Sequence, residues 1–488
     1  MGSHRIMKRA FWITVTSAVI LSSVGLYVYA REETEQGYVP EEGKTTWQQP
    51  GQTGRLTLQS TMALINSDVK SSHATGAKEE TPASSEEHAA HQGQTLGKVQ
   101  DVIFDNDIDA VYCVLVSAND KYYPVPWEAF GAGQVKQTSA AAEEGAAAYG
   151  AGEKEKAKSR WTWQKREKGA LCLNLTNDQF KQAPSIDSID MDQLGDRELR
   201  QRVIDYYAAQ GLIQQSGRGI LGRLYSKRPE ANLFKASDVI DMHVQNYAGE
   251  DFAEIEDLII DVQHGSLGYA MVDYAGVMGV GEKTAAVPWS ALSLDMDKDI
   301  ALLDATEETL TVAVIEEGMV DRLSDREFAR RIHQNFEAEP YWEVFAFVPA
   351  GTAEQWTAPW APESTYNANF NPATMTTMEG TIRNVGSFRP QQNAALGLRL
   401  KVKPADGKSV IVYAGPRIFA VRQGMEFKPG DAITVNGSKT QVNGKSVIMA
   451  SELTTAGQTL RLRDPQGKPL WKLGSMEGRP GTTGTEGM

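Results

Sequence analysis

The chain has 488 residues, 41% of them apolar and 23% charged, an ordinary soluble composition long enough for about three domains rather than one core. Its 49 Lys and Arg stand against 63 Asp and Glu, a net charge of −14, which repels phosphates and excludes general DNA or RNA binding. Neither cysteine, Cys113 nor Cys172, lies at a zinc or haem spacing.

Residues 1–30 read as an export signal or an uncleaved membrane anchor. Arg5, Lys8 and Arg9 precede a charge-free run from Ala10 to Ala30, the length of a membrane-spanning helix, and Val28-Tyr29-Ala30 offers small residues at a cleavage site. Glu32, Glu33 and Glu35 follow the run, so the flanking charges place the rest of the chain outside the cytoplasm. Residues 31–55 are polar and rich in Gly and Pro, as in a linker.

From there the sequence repeats itself. Gly97–Asp105 returns as Ala253–Asp261, Val125-Pro126-Trp127 as Val287-Pro288-Trp289, and Leu194–Leu199 as Leu323–Phe328, in one order, and Leu64–Val69 parallels Val239–Val244. Copy 1 spans residues 56–210 and copy 2 residues 211–340. Copy 1 carries two insertions, Ser71–Gln94 and Gly131–Gly152, with too little apolar surface to offset the entropy of ordering. Short β-branched runs with polar turns between them predict small barrels or sandwiches, not a parallel sheet with crossover helices. Each copy ends in a helix. In copy 2, Ser324 and Glu327 form a capping box with Leu323 and Phe328 as its staple, and Phe328, Ile332 and Phe336 define the buried stripe; Gly195 holds the cap position in copy 1.

Residues 341–376, within a Pro-, Trp- and Asn-rich stretch, predict an extended connector. Residues 377–472 alternate at period two around turns such as Pro429-Gly430 and Asn443-Gly444, which predicts a closed barrel of the OB type. Residues 473–488 are Gly-rich and expected to be disordered.

Clustered carboxylates at Asp101, Asp105, Glu254, Glu256, Asp257 and Asp261 have the chemistry to bind a cation or relay protons, or else they bond backbone N–H groups in strand-end turns. Trp127 and Trp289 read as structural residues closing each core. Lys154, Lys156, Lys158, Arg160, Trp161, Trp163, Lys165 and Arg166 form the one basic cluster with interleaved aromatics, suited to anionic headgroups or an acidic partner, or to a charged hairpin. Gly276–Gly281 is a hairpin turn rather than a nucleotide loop, because no helix follows it. His88 and His91 lie in a polar insertion, and His243, His264 and His333 have no partner legible in the sequence. The cysteines read as small buried hydrophobes, with a disulfide between them as the rival. No Ser/His/Asp or Cys/His arrangement can be assembled.

The repeat resembles the PRC-barrel family, the small β-barrel shared by the photosynthetic reaction-centre H subunit and a ribosome-maturation factor. The resemblance rests on Ala236–Val239, Glu254–Asp261 and Val287–Leu292 in copy 2, and on Gly97–Asp105 and Val125–Trp127 in copy 1. The C-terminal segment resembles OB-like domains of exported bacterial proteins through Tyr413–Pro416 and Leu462–Trp471. The resemblance implies a mainly β protein, two tandem PRC-type barrels followed by an OB-like barrel. It implies no activity, because the family serves unrelated roles. The expectation is an exported, non-enzymatic scaffold without cofactor or metal, periplasmic or anchored through residues 10–30, binding protein partners at the bacterial inner membrane and no nucleic acid. The rival is an accessory subunit of a membrane electron-transfer complex resembling the H subunit.

Overall fold

The computed structural model describes residues 56–72, 93–106, 108–130, 171–213, 232–275, 282–316, 320–344, 357–391 and 394–472. Residues 1–30 read as an export signal or anchor, the predicted linker, most of the first insertion with His88 and His91, the whole of the second insertion, the basic stretch Lys154–Arg166, the predicted turn Gly276–Gly281 and the Gly-rich tail lie outside these residues.

Copy 1 supplies β1 (Leu58–Ser60), β2 (Asp68–Ser71), β3 (Thr95–Asp105), β4 (Ala110–Ala118), β5 (Lys121–Val125) and β6 (Leu171–Leu173). Copy 2 supplies β7 (Leu233–Lys235), β8 (His243–Gln245), β9 (Asp251–Asp261), β10 (Ser266–Ala275), β11 (Glu282–Pro288), β12 (Leu292–Asp295) and β13 (Ile300–Leu303). All of these strands belong to one curled, mainly antiparallel sheet with the order β12-β13-β8-β9-β10-β4-β3-β2-β6, to which β1, β5, β7 and β11 add. The matched segments take matched places. Val69 pairs in parallel with Leu171, as Val244 does with Ala301, and Val114 pairs with Val125, as Ala270 does with Val287. The hairpin β10–β11 closes on Ala275↔Glu282, on either side of the predicted turn.

The first strand of each copy is exchanged. β1 pairs antiparallel with β9 of copy 2, with Leu58 opposite Asp261, while β7 pairs with β3 of copy 1, with Leu233 opposite Asp105. The copies also meet at Ala110 and Ser266, matched positions that face each other, with Val111 N donating to Gly265 O and Leu267 N to Asp109 O, both at 2.8 Å. The exchange and these paired bonds give the junction an approximate two-fold symmetry. Leu58, Val102, Phe104, Phe234, Ile259 and Trp289 therefore belong to one continuous apolar core spanning both copies.

The repeat runs further than the sequence motifs showed. Thr176 caps the helix Asn177–Lys181 and Thr306 caps Glu307–Val312, each with a capping box. The terminal helices differ from expectation at their starts. The N-cap of Arg326–Asn335 is Asp325, whose carboxylate accepts from Phe328 N, and that of Arg197–Ala209 is Asp196, which accepts from Glu198 N and Leu199 N. Ser324 and Gly195 are displaced from the cap because a carboxylate one residue later reaches the free N–H groups and complements the helix dipole. The buried stripe shifts with it to Ala329, Ile332, His333 and Phe336; Phe328 is half-buried beneath the Arg322 guanidinium, 4.4 Å from its ring centre.

The second sheet contains β14 (Met375–Phe388), β15 (Gly397–Pro404), β16 (Val410–Pro416), β17 (Ala432–Val442), β18 (Lys445–Thr455) and β19 (Gln458–Arg461), in the order β16-β15-β14-β17-β18-β19. A parallel pairing of β16 with β18 returns the sheet on itself through β14, β15, β16, β18 and β17. Within the predicted connector, Trp360 and Tyr366 pack into this second core. Their rings pack at 5.0 Å, and Trp360 meets Trp471 edge-on at 6.0 Å. Tyr341 and Trp342, by contrast, sit in the first core. Among the described residues no helix is long and apolar enough to cross a membrane.

Candidate functional site at the junction of the copies

The recurring carboxylates lie at the exchange. Asp257 sits mid-strand at a bulge in β9, not in a strand-end turn, and reaches across to copy 1. It accepts from Ser60 Oγ, from Thr61 Oγ1 at 3.1 Å, from Met62 N at 3.2 Å and from Leu258 N at 2.7 Å. Asp101, its match in β3, accepts from Ser237 Oγ at 2.5 Å, Ser237 N at 3.3 Å and Val102 N at 2.8 Å. Each carboxylate thus caps the short helix, Thr61–Leu64 or Ala236–Val239, that follows the other copy's exchanged strand. Burial pushes the Asp257 carboxyl up to about 6, although its hydrogen bonds pull it down, and burial raises Asp101 in the same way.

Asp105 and Asp261 do end their strands. Asp261 accepts from Gln263 N at 3.0 Å, the predicted turn, and also holds His264 Nδ1 at 2.8 Å, a buried pair without a copy 1 counterpart because Ile108 stands at the matched position. Glu254 is exposed on β9 opposite His243, and Glu256 faces away from this group. The six carboxylates therefore do not form one cation site, and among the described residues no group of His, Cys, Asp and Glu is arranged to hold a metal ion. Cys113 is a buried free thiol and Cys172 is half-buried.

The tryptophans close the junction rather than each copy's own core. Trp127 donates Nε1–H to Val262 O of copy 2 at 3.0 Å. It lies over Gly265, whose φ of +61° suits glycine and where an added Cβ would fall 2.7 Å from the indole. Trp289 hydrogen-bonds the Asp109 carboxylate and stacks on Phe234, which stacks in turn on Phe104, each pair 5.4 Å apart.

Sequence reading missed Arg417. It opens the helix Arg417–Arg422 beyond β16, and its charge acts on Asp109 and Asp105 while its Nη1 donates to Ser387 Oγ at 2.9 Å. Burial still pushes the Asp109 carboxyl up to about 7, against the pull of Arg417 and Trp289. One arginine of the second sheet is thus fixed at the two-copy junction. A second contact joins that sheet to copy 2. Lys401 pairs with Asp304 at 2.9 Å and Glu337 at 3.0 Å, Lys445 pairs with Glu339 at 2.5 Å, and Tyr413 donates to Glu339 Oε1 at 3.1 Å. Burial opposes ionisation of Glu339, but Lys445 and Arg399 together with these hydrogen bonds hold it below the usual carboxylate range. No local pattern marks Arg417 or Lys401, since their partners lie far away in the sequence.

The chain is thus a mainly β protein whose matched modules share a junction, and residues 231–310 match the PRC-barrel domain. That range begins just before the exchanged strand β7 and covers the strands of copy 2, β7 to β13, stopping short of its terminal helix. Residues 374–460 match the MamS/MamX magnetosome protein family, across β14 to β18. No curated protein matches the chain. Among solved structures, the chain aligns with the S. pombe Stn1–Ten1 complex at 16% identity and a TM-score of 0.15, over 22% of this chain and 80% of that one.

Proposed function

We propose that this protein is a magnetosome-associated interaction module, a non-enzymatic scaffold in which two PRC-type barrels form a rigid base for an OB-type barrel. The observation that carries the reading is the MamS/MamX match over the strands that close the second sheet. Support for a second PRC-type unit comes from the matched registers of copy 1 and from its reciprocal exchange with the matched domain. The OB-type assignment is supported by the strand circuit and by the helix Arg417–Arg422 between its third and fourth strands. Asp101, Asp257 and Asp261 are engaged in capping and pairing, which favours binding over catalysis. The export segment and the basic stretch Lys154–Arg166 support attachment on the non-cytoplasmic side of a membrane.

Affinity capture of the tagged full chain from detergent-solubilised magnetosome-bearing membranes, read by mass spectrometry and absorption, tests this. Recovery with magnetosome-membrane proteins is expected. Recovery alone, or only in fractions without magnetosomes, overturns it, and co-purification with haem- or pigment-bearing subunits favours the electron-transfer rival.

A further inference from the structure

The contact between the second sheet and copy 2 carries a group of charges beside neutral hydrogen bonds from Asn384 Nδ2 to Leu292 O and from Tyr247 to Arg383 O. On the sheet side, Arg399 and Lys401 of β15, Tyr413 of β16 and Lys445 of β18 face the same way, and Arg399 and Lys401 are buried. Two short peptide segments of copy 2 meet them. Asp304 follows β13, and Glu337 and Glu339 follow the helix Arg326–Asn335. The face takes main-chain carbonyls as well as carboxylates, since Arg399 Nη2 donates to Glu337 O.

Two features fit a separable contact better than a permanent one. Ion pairs with one partner half-exposed, as Glu337 and Lys445 are, give little net attraction and are screened by salt, so a fixed joint is better made from apolar side chains. Glu337 also adopts φ +54°, at a helix end where glycine makes the turn without strain, yet its carboxylate and carbonyl both engage the cationic face.

We infer that the Arg399–Lys401–Tyr413–Lys445 face is a binding surface for acidic peptides, occupied in the closed chain by the Asp304 and Glu337–Glu339 segments of copy 2 and open to an acidic segment of a partner when they release. This rests on the interaction-module reading and names the partner chemistry. The occupant is itself an acidic peptide, which identifies the class. The rings behind the face, Phe388 and Tyr413, stack on each other at 3.8 Å within the core and leave no platform for nucleic-acid bases.

The test uses the full chain and a fluorescein-labelled peptide copied from residues 335–344, read by anisotropy at low salt. The double variant Asp304→Asn/Glu337→Gln is expected to bind at least tenfold more tightly than the parent, and adding Lys401→Ala or 0.5 M salt is expected to abolish the gain. A second construction keeps every carboxylate. Asn384 Nδ2 lies 3.3 Å from Ser293 Oγ, so Ser293→Cys/Asn384→Cys should lock the contact when oxidised, block the peptide and release it on reduction. Equal binding by parent and opened variant, binding by the locked form, or equal binding of a single-stranded oligonucleotide of the same charge would each overturn the inference. Capture of partners from membranes without peptide binding here would remove this inference and leave the interaction reading standing.

Discussion

Asp257 is the acceptor for two hydroxyls and two main-chain N–H groups while being almost fully enclosed. Asp257→Ala leaves those donors buried and short of an acceptor, which should cost about 3 kcal/mol of unfolding free energy in urea titrations. Asp101→Ala, with fewer donors, should cost less. The carboxyl also has a pH signature. Its folded pKa, about 6, lies above the ordinary aspartate value of 3.8, so its contribution is fully present below the unfolded value and is lost as pH rises through about 6. Stability measured relative to Asp257→Asn should therefore be about 1 kcal/mol greater at pH 5 than at pH 7.5; a difference that shrinks on acidification refutes this. The recurrence of Asp101 and Asp257 was visible in the sequence, but their role was not. Each one's partners lie on a strand far away in the chain, so a local reading assigns them to turns.

At the scale of elements, the terminal helices separate two readings of one start. Asp325→Ala should cost about 1 kcal/mol in thermal or urea unfolding, whereas Ser324→Ala should be near neutral, because the helix N–H group is capped by Asp325. The reverse order would restore the capping box read from the sequence. Strand periodicity and matched motifs made most strands of the copies legible. The exchange of β1 and β7 was not legible, because three-residue strands have no periodicity of their own and their pairing is set by the other copy. Removing residues 1–64 should therefore damage copy 2 rather than copy 1. Ile259–Asp261 would lose its paired strand and Asp257 its partners from Ser60 to Met62. Hydrogen exchange should then rise in β9 while β3, paired with β7, stays protected.

For the whole molecule the decisive fact is that the copies share one core while the second sheet has its own, joined to them by charge. Composition and repeats marked these parts, but composition carries no information on which surfaces meet, and nothing in the sequence singles out Arg417 or Lys401. The physical difference between the two joints predicts their order of failure. The copies exchange strands and bury apolar side chains across their junction, so neither can unfold alone, and calorimetry should record them as one transition. Lys401, Lys445 and Arg417 attach the second sheet alongside neutral contacts such as Asn384 Nδ2 to Leu292 O, and their ion pairs weaken with salt where partly exposed. In Arg417→Ala/Lys401→Ala, Asp109, Asp105 and Asp304 each lose a compensating cation, while the closed strand circuit of the second sheet stays intact. The expected thermogram of this variant has two resolved transitions, one retaining the enthalpy of the second sheet. A single transition at the parent temperature would mean that apolar contact rather than charge holds the sheet to the copies.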